Sequence, residues 1–75
     1  MTIPAPLSPE AWVTHLFTAK AARQGAVIRR NLRDVERYVG RARFEEELRR
    51  RGFHAVENAG QIVIFCNQEP IRVIL

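Results

Sequence analysis

Apolar positions recur along this chain with two different periods, and the changes of period divide it into elements. Trp12, Val13, Leu16 and Phe17 fall on one face at helical spacing. They follow Ser8-Pro9-Glu10, which supplies a hydroxyl N-cap, a proline at the first helical position and an acid in the first turn. The pattern predicts a helix from Ser8 to near Gly25, a residue suited to the left-handed position beyond a C-terminus. AVIRR, residues 26–30, is β-prone and too short for a helix. Asn31 is placed to cap a second helix, with Asp34 three residues on where a capping-box acid stands. Leu32, Val35 and Val39 form the buried stripe of that helix. Phe44 and Leu48 would fall out of phase if it continued, so Gly40 separates it from a third helix over about residues 42–51, which ends at Gly52.

From Phe53 the period shortens to two. FHAVENAGQIVIFCN reads as a hairpin, with Asn58-Ala59-Gly60 as a three-residue loop. That register sets Val56 against Ile62, His54 against Ile64 and Phe53 against Phe65. A two-residue Ala59-Gly60 loop, which shifts every pair, stays open as the alternative. After a turn at NQEP the chain closes on IRVIL, a further strand whose Ile71, Val73 and Leu75 form a candidate dimer edge by strand addition.

The resulting order is helix-strand-helix-helix-hairpin-strand. It predicts one small α+β domain over residues 8–75, with its helices packed on a small antiparallel sheet, and a flexible N-terminal tail over residues 1–7, where Pro4 and Pro6 stand. Through residues 9–67 the order resembles, in topology alone, a winged-helix domain. That resemblance implies that the helix pair around Gly40 is the helix-turn-helix and the hairpin the wing. The third helix would then read DNA and present Arg43, Glu46, Arg49 and Arg50 outward. The competing arrangement packs the helices on the sheet with no DNA-binding role.

Charge redirects attention within this frame. The chain carries a net +4, and eleven of its twelve basic residues are arginine, whose planar guanidinium suits phosphate and carboxylate. The most conspicuous block, FEEELRRRGF, is nearly neutral. Glu45, Glu46 and Glu47 each precede an arginine by four residues, the favourable acid-before-base orientation. Such pairs contribute roughly 0.3–0.5 kcal/mol each when exposed, so the block stabilises a helix more than it offers a binding patch. Residues 20–43, by contrast, hold eight basic residues against Asp34 and Glu36, a net +6, while the flanking segments are each −1. Arg33 and Arg37 lie one turn apart opposite the apolar stripe, Arg30 leads into that face with Arg29 before it in sequence, and Arg41 and Arg43 lie at its far end. These six are the candidate nucleic-acid contacts.

Other chemistry is sparse. The three-residue loop would put His54 and Cys66 on one face, but a catalytic pair needs a third orienting group and a structural zinc needs four ligands. Neither is visible, so no metal, no cofactor and no enzymatic constellation is expected, and Cys66 reads as a buried structural residue. The lone cysteine allows no internal disulfide. No apolar run approaches the roughly 20 residues of a membrane span, and MTIPAPLSP lacks a secretory pattern, so the expected location is cytoplasmic. Two functions follow as expectations. The first is a small nucleic-acid-binding protein that uses the arginine face. The second is a protein-interaction or regulatory module, a homodimer through the C-terminal strand or hairpin, whose arginines meet an acidic protein.

Overall fold

In the computed structural model, residues 8–75 are described. The expected N-terminal tail lies outside the described residues. Helix α1 spans Pro9–Phe17, and the Ser8 hydroxyl accepts a hydrogen bond from the Ala11 N–H at 3.1 Å, as the capping signal requires. The expected single helix to Gly25 is in fact two. Ala19 is extended (φ −60°, ψ 150°), and a separate short helix, α2, covers Lys20–Arg23. No glycine or proline marks this break. It turns the chain so that Ala22 is buried in the core and α2 packs against the first strand.

Strand β1 (Val27–Asn31) passes straight into helix α3 (Leu32–Tyr38), and Asn31 ends the one and caps the other. Its Oδ1 accepts from the Arg33 N–H at 2.8 Å. Gly40 separates α3 from helix α4 (Arg41–Arg51), which buries Phe44 and Leu48. The α4 C-terminus closes on Gly52, whose φ of 73° is left-handed. The Phe53 N–H reaches back to the Leu48 carbonyl at 3.0 Å and completes the cap.

Strands β2 (His54–Asn58) and β3 (Gln61–Phe65) form the hairpin with a two-residue turn, Ala59-Gly60, not the three-residue loop. Val56 therefore faces Val63, and His54 faces Phe65. Both turn residues have positive φ, 50° and 76°, which matches the twist of the flanking strands. Alanine pays for that conformation sterically, whereas asparagine tolerates it. Ala59→Asn is expected to stabilise the protein by about 1 kcal/mol, raising the melting midpoint by roughly 4–8 °C. An unchanged midpoint in paired thermal melts would contradict the turn geometry.

The three strands are antiparallel in the order β1–β3–β2. Ile28 and Ile64, paired across the sheet, turn inward to meet Leu16, Ala22, Val35, Phe44 and Leu48. Phe44 lies at the centre, edge-on to Trp12 at 6.3 Å and stacked with Phe17 at 6.4 Å. The result is an α+β domain with four helices on one face of a three-stranded sheet. The final strand expected over IRVIL does not form. Residues 66–75 belong to no strand, and Ile71, Val73 and Leu75 are exposed. The cause lies just upstream. The Asn67 amide donates to the Gly25 carbonyl and the Gln68 amide to the Arg51 carbonyl, while Pro70 has no N–H to give a ladder. Among the described residues, no helix is long and apolar enough to cross a membrane.

Candidate nucleic-acid interface

Because Asn31 joins β1 to α3 without a loop, the basic residues of both elements form one continuous stretch of backbone. Arg33 and Arg37 are exposed and one turn apart on α3, on the side away from buried Val35. Arg30 is half-buried, and its guanidinium donates to the Arg29 carbonyl at 2.7 Å. Arg29 and Arg30 diverge, as neighbours on a strand must: Arg29 projects from the sheet face away from the helices. Among the described residues, none of these four has a carboxylate within ion-pair distance.

The other two predicted contacts behave differently. Arg41 bonds Glu45 at 3.1 Å and Glu57 of the hairpin at 3.3 Å, and Arg43 bonds Glu10 of α1. The hydrogen bond that Arg41 donates to Glu45, with the charge of Glu57, raises the Arg41 pKa above its usual value. The backbone N–H at the start of α1, with Arg43 beside it, lowers the Glu10 carboxyl. Thus the structure separates the six candidate arginines into four unpaired residues on β1 and α3 and two on α4 that hold elements together.

The remaining α4 charges also cancel. Glu45 reaches Arg49 at 3.6 Å, and Glu47 pairs with Arg51, both with the expected spacing of four. The expected Glu46–Arg50 pair is absent, because Glu46 bonds Arg49 at 3.1 Å and Arg50 bonds Glu47 at 2.6 Å, both at a spacing of three. The hydrogen bond from Arg51 holds Glu47 below the usual carboxylate range. Its contribution to stability is therefore present at neutral pH and fades on acidification, as pH falls through the lowered value. Arg51 also lies 4.5 Å over the Phe17 ring. With Glu10 and Glu57 included, five glutamates offset the five arginines of α4. The net charge thus resides on residues outside this network: Lys20 and Arg23 of α2, Arg29, Arg30, Arg33, Arg37 and Arg72, against Asp34, Glu36 and Glu69. Lys20 and Arg23 are exposed on α2 and add to the basic surface. The segment count shows them, but the helix-face pattern alone passes over them.

Two further features bear on chemistry. A groove of about 250 Å³ runs between α4 and β2, with Phe44, Leu48, Phe53 and Ala55 as its floor and the paired Arg41, Glu45 and Glu57 on its rim. Its polar groups are occupied with one another. Cys66 is buried, and burial pushes its thiol pKa up. The two-residue turn sends His54 to the opposite face of the sheet from Cys66, so the expected juxtaposition does not occur. Among the described residues, no three His, Cys, Asp or Glu side chains gather where a metal could sit.

Comparison of the chain with protein-family models, curated proteins and solved structures gives no match.

Proposed function

We propose that this protein binds nucleic acid through the phosphate backbone, using β1 and α3. The supporting observation is the division of its arginines. The α4 set is cancelled by five carboxylates, whereas Arg29, Arg30, Arg33 and Arg37 have no acidic partner among the described residues. Unpaired guanidiniums on a short, rigid stretch are what phosphate contacts use. The element order and the β1–β3–β2 sheet fit a winged-helix-like arrangement, with α3 and α4 as the helix pair and the hairpin as wing. Within that arrangement the five arginines of α4 are matched by its own three glutamates with Glu10 and Glu57, and the wing tip, Asn58-Ala59-Gly60-Gln61, carries no cation. Base reading is therefore weak, and the backbone supplies the affinity.

The test is a salt titration of the full chain against random duplex DNA and single-stranded RNA. Binding should weaken linearly on a log–log plot, with a slope near −0.9 per phosphate contact on duplex. Arg33→Glu with Arg37→Glu should reduce the slope by about 2 and low-salt affinity at least about tenfold. Arg49→Gln, on the cancelled helix, should change both far less. Absence of binding at low salt, or an unaltered slope in the double variant, rejects the reading. Val27 and Val56, large apolar residues left exposed on the sheet, favour a second reading, a protein-interaction module without a nucleic-acid role.

A further inference from the structure

The sheet order β1–β3–β2 puts β1 and β2 on opposite edges, and the charged side chains divide with them. Helices α2 and α3 pack against β1. These three elements hold six cations against Asp34 and Glu36, and none of the six has an acidic partner within ion-pair distance among the described residues. Helix α4 packs against β2, and there every arginine is bonded to a carboxylate. The uncommitted cations thus follow the chain along one edge of the sheet, from α2 through β1 into α3.

Tyr38 ends α3 and adds a different kind of group to that row. Its ring is half-buried and stacks on Trp12 of α1, with centroids 6.2 Å apart and planes 14° from parallel. The Arg37 guanidinium lies over the ring, 5.6 Å from its centroid. Arg51 stands over Phe17 in the same way, but Glu47 holds it, whereas Arg37 has no acid to hold it. A free guanidinium beside an accessible aromatic ring is the combination that grips an unpaired strand, since the cation meets a phosphate and the ring meets a base. A duplex offers such a ring little, because its bases are already stacked on one another. The opposite edge also disfavours a duplex. In the winged-helix-like arrangement α4 enters the groove, and it would carry Glu45, Glu46 and Glu47 there with its arginines already engaged.

We infer that the partner is single-stranded nucleic acid, with one base stacked on Tyr38 and phosphates beside it held by Arg33 and Arg37. This inference rests on the nucleic-acid reading and names the form of the strand. The base prolongs the Trp12–Tyr38 stack, and Arg37, which is exposed, leaves the ring for a phosphate. Asp34 stands one turn before Tyr38, where its charge repels phosphate and leaves the ring to the uncharged base. Stacking of this kind tolerates any base, in keeping with an interface that reads sequence weakly.

Binding measurements on the full chain at one salt concentration test this, with a strand of about 16 nucleotides, as RNA and as DNA, against the duplex of the same sequence. Both single strands should bind at least about tenfold more tightly than the duplex. At saturation they should also quench the fluorescence of Trp12, the only tryptophan, more than the duplex does. Tyr38→Leu should weaken single-strand binding about tenfold and leave duplex binding as it is. Its salt slope should not change, because a stacked base releases no counterion. Tyr38→Phe, which keeps a ring, should bind like the wild type. The wild-type comparison needs no variant, so a leucine variant that fails to fold does not suspend the test. A duplex bound as tightly as the strands, or a folded leucine variant with wild-type affinity for them, overturns this inference and leaves the polyanion reading in place. No binding of strand or duplex at low salt removes both.

Discussion

Phe44→Ala is expected to leave the protein largely unfolded at room temperature. The ring is 1% exposed and sits where several elements meet: Trp12 and Phe17 of α1 surround it, and Val35 and Ile64 share its cluster. Truncation of a buried phenylalanine costs about 3–5 kcal/mol in lost transfer energy and residual cavity. A domain of this size holds only about 3–5 kcal/mol in total, so the deficit matches the whole reserve. Amide dispersion in a proton–nitrogen correlation spectrum should collapse, and the near-ultraviolet signal of Trp12 should vanish. Phe44→Leu, which leaves a smaller void, should cost roughly 1–2 kcal/mol and keep the dispersion. A folded alanine variant with a melting midpoint near that of the wild type would show that the core is centred elsewhere.

The second large effect is expected at Gly52. Its φ of 73° is left-handed, and a β-branched residue there is a steric outlier, so Gly52→Val should cost roughly 2 kcal/mol. A Cβ would also stand 3.2 Å from Cγ of Gln68. That side chain is flexible and can swing away, but doing so breaks its bond to the Arg51 carbonyl. Two readouts should therefore change together. The melting midpoint should drop by roughly 8–16 °C, and residues 68–75 should become more susceptible to protease. A lower midpoint with unchanged protease sensitivity would mean that Gln68 does not tether the segment that follows it.

The local code was readable wherever one residue acts on its own backbone. Ser8, Asn31 and Gly52 do what their types imply, because capping depends on neighbours within a few residues. The phase argument at Gly40 also placed the α3–α4 break correctly. What could not be read depends on partners distant in sequence. The break at Ala19 has no breaker residue and follows from packing Ala22 against the sheet. IRVIL has strong β propensity, but propensity is a preference for a ladder that the anchored Asn67 and Gln68 withhold. Hairpin register depends on turn type, and one residue of difference moved every side chain of β2 relative to β3. Among the candidate arginines, sequence located the excess charge in the right third of the chain. It could not foresee that Arg41 and Arg43 would reach Glu57 and Glu10, acids far away in the chain.

The hairpin turn is not free at its tip. The Gly60 carbonyl accepts the Leu32 N–H at 2.9 Å, which fastens the far end of β2 and β3 to the point where β1 becomes α3. That bond carries the β1–β3 pairing one residue beyond Asn31 and Gln61, so hinging the helix pair away from the sheet would have to break it. A partner that docks beside this joint meets backbone tied on both sides, the situation in which side chains adjust more than the main chain does.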